Sequence, residues 1–112
     1  TAAAEAMVLG MKSGLDPHLI YDVIGSSAAT SRMFQVRGGM MADNNYDDVG
    51  MSNRLYQKDL DIITAFASDV HCPVGLFAAA VQPYRATLEQ GLAEKDTAAV
   101  CAVLEEQARV KR

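Results

Sequence analysis

Asp59 makes the sharpest chemical demand in this sequence. Between about Ser52 and His71 the apolar residues Leu55, Tyr56, Leu60, Ile62, Ile63, Phe66, Ala67 and Val70 recur with helical spacing. At ~100° per residue they fall within an arc of about 160°, and Asp59 sits in the middle of it. A carboxylate carried into a core without a partner costs several kcal/mol, a large share of a small domain's total stability. Asp59 is therefore either hydrogen-bonded to a neighbouring helix end, or it faces a cleft or a second domain. Lys58 lies at the edge of the same arc, about 40° beyond Ile62. Its flexible ammonium either reaches an anionic ligand or snorkels from the surface along its own stem.

No second chemical set competes with this pair. His18, His71, Cys72 and Cys101 match no zinc spacing, so no metal site is expected. Asp43, Asp47 and Asp48 lack the glycine and terminal glutamate of a calcium loop and read as a solvated turn. Gly38-Gly39 follows no strand, which argues against a phosphate-binding loop. No Ser/His/Asp or Cys/His arrangement is deducible, and the six methionines suit helix packing.

Composition narrows the partners. Half of the 112 residues are apolar and 21% are charged, which excludes a disordered tail and fits one domain. Fourteen acidic against ten basic residues give a net charge of -4. The basic residues are scattered apart from Lys111 and Arg112, so nucleic acid and anionic membranes are poor partners. No apolar run reaches about 18 residues, and no basic-then-apolar leader pattern opens the chain. Two cysteines without CxxC spacing point to a reduced, cytoplasmic setting.

The elements that must position Lys58 and Asp59 all read as helix, because good helix formers dominate and no segment alternates with period two. Thr1 to about Gly14 opens directly into an alanine-rich pattern and reads as the tail of a longer helix; the alternative is that Thr1 caps a complete one. Asp16-Pro17 starts a second helix whose apolar face is Leu19, Ile20, Val23 and Ile24. Thr30 or Ser31 caps a third, carrying Met33, Phe34, Val36 and Met40-Met41. The fourth, with Asp59, ends at Cys72-Pro73. Pro73 opens a fifth through Leu76, Phe77, Val81, Tyr84 and Leu88 to Gly91, which Pro83 should kink or split. Asp96 caps a sixth, with Val100, Val103 and Leu104 inward and Glu105, Glu106 and Arg109 in water.

Leu55-Tyr56-Gln57-Lys58-Asp59-Leu60 carries a resemblance, together with Glu5-Ala6-Met7-Val8-Leu9-Gly10, Gly14-Leu15-Asp16-Pro17 and Gly91 to Ala98. In this order they resemble the C-terminal domain of the β-hydroxyacid dehydrogenases, the family of 3-hydroxyisobutyrate dehydrogenase, over essentially the whole chain. The stretches Asp69 to Pro73 and Lys95 to Cys101 are most similar to its L-threonate dehydrogenase branch.

The resemblance implies an all-α fold, a single helical bundle of the 6-phosphogluconate dehydrogenase C-terminal type with its first helix truncated. Residues 1–112 would be a substrate and dimerisation domain, and the Rossmann domain that binds NAD or NADP is absent from them. The implied reaction is hydride transfer between nicotinamide and a small hydroxy acid such as L-threonate or 3-hydroxyisobutyrate. The family's catalytic lysine would lie upstream of Thr1, so no catalytic residue is expected here and the isolated chain should be inactive.

Carried over residue by residue, Lys58 takes the family's place beside the cofactor near the nicotinamide, and Asp59 the place bordering the substrate. Met51 stands where the family often has an aromatic residue by the substrate, and Gly75 and Pro83 also depart from the common pattern. The implied partners are the chain's own Rossmann domain, a second copy in a homo-oligomer, and a small hydroxy acid. A free-standing helical protein–protein interaction module, with Asp59 purely structural, is the competing reading.

Overall fold

A computed structural model describes all of residues 1–112. The helices are α1 (Ala2–Lys12), α2 (Pro17–Gly25), α3 (Arg32–Asp43), α4 (Asn53–Asp69), α5 (Gly75–Glu89) and α6 (Val100–Ala108), with a 3₁₀ turn at Thr97–Ala99 leading into α6. The fold is all-α. Local chemistry sets most of the starts. The Asp16 carboxylate accepts from His18 N and Leu19 N, and Pro17 follows it. Ser31, not Thr30, caps α3 through Phe34 N at 3.0 Å, and Ser52 caps α4 through Leu55 N at 3.2 Å.

Packing departs from periodicity in four places. α4 stops at Asp69, before Cys72-Pro73, because His71 turns into the left-handed region at φ 55° and Cys72 N donates back to Ala67 O. α5 begins at Gly75, without a side-chain cap, and runs through Pro83 unbroken. Neighbouring backbone and α4 hold that helix, so the missing N–H of Pro83 does not split it. Asp96 caps the 3₁₀ turn ahead of α6. Glu105, expected in water, is buried. It accepts from the Arg112 guanidinium and from the Cys101 thiol, while Arg112 Nη1 also donates to Ala42 O at 2.7 Å.

The core gathers around α1. Ala4, Met7 and Val8 pack with Ile20, Phe34, Met41, Ala42, Tyr46 and the run Ala98 to Cys101. Two glycines allow this closeness. A Cβ on Gly10 would lie 2.5 Å from Ile20 Cδ1, and one on Gly38 would lie 2.8 Å from the Tyr21 ring. Leu19 and Val23 of α2, expected inside, are exposed; only Ile20 of that helix is buried.

The long loops are stitched by two buried polar residues. Asp96, 1% exposed, accepts from Arg37 Nε at 2.8 Å, Ala98 N at 2.8 Å, Gly50 N at 3.0 Å and Met51 N at 3.1 Å. Asn53 Nδ2 donates to the carbonyls of Leu92, Lys95 and Asp96, and Asn53 N donates to Lys95 O. This polar knot fixes where α4 leaves the core.

Burial alone would raise the Asp96 carboxyl, but hydrogen bonds from Ala98 N, Arg37 and Met51 N outweigh it and hold the group below its ordinary value. A depressed carboxylate contributes stability above its unfolded value of about 4 and loses it as pH falls through the lower folded value. Asp96→Ala should cost about 3–5 kcal/mol, since it strands Arg37 and the backbone donors. Denaturant unfolding at neutral pH checks this. As pH falls below ~4 and through the lower folded value, the gap between wild type and variant should narrow; a constant gap would contradict the assignment.

Candidate functional site

The placement of Lys58 and Asp59 follows from what anchors α4. Its inner edge is narrow: Asn53, Leu60 and Ala67 are buried, while Tyr56 meets Tyr84 of α5 edge to face at 4.9 Å between ring centres. Gln57 Nε2 donates to Asn53 O at 3.1 Å and to Tyr84 O at 3.0 Å, which sets the rotation of α4 on α5. With Leu60 inward, Asp59 is turned ~100° onto the flank.

That flank is not core. Leu55, Ile62 and Phe66 are 52%, 58% and 64% exposed, and Ile63 and Val70 are exposed as well. The broad stripe on α4 was expected to face inward. It lacks a neighbour within these residues, because α5 covers only the edge around Leu60 and Ala67. Leu55, Asp59, Ile62 and Phe66 thus form an i, i+4, i+7, i+11 face that is apolar except for the carboxylate. Asp59 is half-exposed; its one cationic neighbour is Lys58, with Nζ 3.9 Å from Oδ1. It takes part in no hydrogen bond to a helix end. Lys58 pairs with no other acid, and its ammonium stands exposed at the border of the apolar face.

The remaining residues singled out from the sequence do not join this pair. His18 sits 3.7 Å from Asp43 on the surface, Cys72 is exposed, and Cys101 is buried against Glu105. Burial and then the neighbouring Glu105 push the Cys101 thiol up to about 12, so it is an inert thiol. No three His, Cys, Asp or Glu side chains come together. Asp47 pairs with Lys95 across two loops.

Met51 lines a separate cavity of about 450 Å³, bounded by Phe34, Arg37, Met41, Tyr56, Tyr84 and Thr97 among others. Lys58 and Asp59 do not line it. Arg37 and Asp96 escaped sequence reasoning, because partners 59 residues apart leave no spacing signal. The single hint was Asp96 as a capping residue.

Comparison with known proteins places this geometry. The chain is 36% identical over 99 residues to an L-threonate dehydrogenase of Cupriavidus necator, covering 88% of this chain and 33% of that protein. It is 33% identical over 111 residues to the mitochondrial 3-hydroxyisobutyrate dehydrogenase of Rattus norvegicus, covering 93% of this chain and 33% of that protein. The chain therefore spans about a third of the length of these curated relatives. A crystal structure described as 3-hydroxyisobutyrate dehydrogenase from Salmonella typhimurium superposes with a TM-score of 0.85 at 28% identity, over 91% of this chain and 35% of that one. Residues 1–104 match the family model described as "NAD-binding of NADP-dependent 3-hydroxyisobutyrate dehydrogenase". The Lys58–Asp59 pair on its uncovered helical face thus belongs to a chain that is a member of the 3-hydroxyisobutyrate dehydrogenase family.

Proposed function

We propose that residues 1–112 are the helical, substrate-side domain of an NAD(P)-dependent 3-hydroxyacid dehydrogenase. Its Rossmann domain and catalytic lysine precede Thr1 in the complete, cytoplasmic protein. The observation that carries the reading is the α4 flank: a carboxylate and an ammonium, in contact only with each other among charged groups, on an apolar face that nothing in the chain covers. A face of that composition suits an interdomain cleft, where water is displaced and a charged ligand must be oriented.

The chain's residues fit one end of a dinucleotide. Lys58 offers an ammonium whose one acidic neighbour is Asp59, on the same flank of α4 as the exposed Leu55 and Ile62. The pyrophosphate falls to the preceding domain, since no glycine-rich turn follows a strand here. Bound NAD(P) supplies the hydride acceptor. Lys58 orients the nicotinamide end, Asp59 borders the hydroxy acid, and the apolar flank excludes water. L-Threonate is the favoured substrate, with 3-hydroxyisobutyrate next, in line with the names of the relatives. No helix is long and apolar enough to cross a membrane.

Calorimetry on the 112-residue chain should give no NAD(P) binding in the micromolar range and no turnover of L-threonate. The same chain should self-associate through its uncovered apolar faces, giving a concentration-dependent sedimentation coefficient; a clean monomer at high concentration contradicts this. In the complete enzyme, Lys58→Ala should change stability by no more than about 1 kcal/mol while lowering kcat/KM roughly ten- to a hundred-fold. Asp59→Asn should keep the melting temperature and lose activity. A fall in melting temperature with unchanged activity per folded molecule would return both residues to a structural role and favour the interaction-module reading.

A further inference from the structure

Arg37 is held by one side only. A guanidinium has five N–H donors in a fixed fork, and here Nε and Nη2 face the Asp96 carboxylate at 2.8 and 3.4 Å. Nη1 finds only the Met33 thioether, at 3.6 Å, a weak acceptor. Asp96, by contrast, is over-supplied: Gly50 N, Met51 N and Ala98 N donate to it besides Arg37. Three backbone amides thus share the carboxylate's lone pairs with Arg37; the ion pair is neutral overall, and the Nη1 N–H donors are what is left without an oxygen acceptor.

Arg37 borders a cavity. The space of about 450 Å³ lies within the range of small-molecule sites, and most of its lining is apolar or aromatic: Phe34, Met41, Met51, Tyr56 and Tyr84. An apolar chamber bordered by one fixed guanidinium with an open Nη1 edge suits a molecule with a hydrocarbon or aromatic body and a carboxylate end. A carboxylate meets the Nη1 donors with a charge-assisted hydrogen bond, whereas a neutral carbonyl offers them a weaker acceptor. The site uses neither Lys58 nor Asp59 and stands whether or not they serve a dehydrogenase.

We propose that the chamber between α1, α3 and the α4–α5 pair binds a small apolar monocarboxylate, its carboxylate on Arg37 Nη1 and its body against Phe34, Tyr56 and Tyr84.

The probes are phenylacetate and its neutral counterpart phenylacetamide, titrated into the 112-residue chain by heteronuclear NMR. Phenylacetate should saturate, with shifts at Phe34, Arg37, Tyr56 and Tyr84, and phenylacetamide should bind about tenfold more weakly, since its neutral carbonyl replaces a charge-assisted carboxylate–guanidinium hydrogen bond with a weaker one. Ala3→Leu, which fills the chamber from α1, should abolish phenylacetate binding with the melting temperature retained. If that variant unfolds, Met51→Phe serves as the second plug. Equal affinity for the two probes would show that Arg37 is fully committed to Asp96 and overturn the proposal. So would shifts centred on Lys58 and Asp59, or binding that survives both plugs. The complete protein should discriminate between the probes in the same way; loss of binding there would mean that preceding residues fill the chamber, and would overturn it as a ligand site.

Discussion

The fold depends on a carboxylate that gave up water. Asp96 lies almost wholly buried at the meeting point of three segments that have little else in common: the end of the α3–α4 loop, the α5–α6 loop and Arg37 in the middle of α3. Such a group is tolerable only when every lone pair is met, and here backbone amides do most of the work. Asn53 works with opposite sign, spending its amide donors on three carbonyls of the same loop while its Oδ1 is buried without a partner. Together they form a rigid base from which α4 projects, and the orientation of everything on α4 descends from them.

Legibility in the sequence tracked the range of each interaction. Asp16-Pro17, Ser31 and Ser52 act on amides two or three residues away, and their helices start where those residues stand. Glu105 looked like a surface acid because its neighbours Glu106 and Arg109 are surface residues. Its real partners are Arg112, three residues past the end of the pattern, and Cys101. Pro83 looked like a break because propensity concerns an isolated helix, whereas α5 is held by its packing on α4. Arg37 was invisible, since an ion pair over 59 residues has no local signature.

α4 was half legible for a different reason. Periodicity reports that a face is apolar, not what lies against it. The arc from Leu60 to Ile62 is real, but only its edge at Leu60 and Ala67 finds a neighbour, and the rest is an unmatched surface. Asp59 was informative because it conflicted with that pattern. A charge in an apolar stripe demands an explanation wherever the stripe faces, and the conflict survives the finding that the stripe faces outward.

The close approaches at Gly10 and Gly38 bear on how this chain can drift over evolutionary time. At position 10 the obstacle is the end of the flexible Ile20 side chain. A methyl group can be admitted there if residue 20 shrinks, so the two sites are free to exchange volume in paired steps. At position 38 the obstacles are the rings of Tyr21 and Phe34, which stack on each other with centres 5.6 Å apart and cannot yield singly. Three positions on two helices are thereby locked into one heritable unit, and lineages should either keep all three or replace them together.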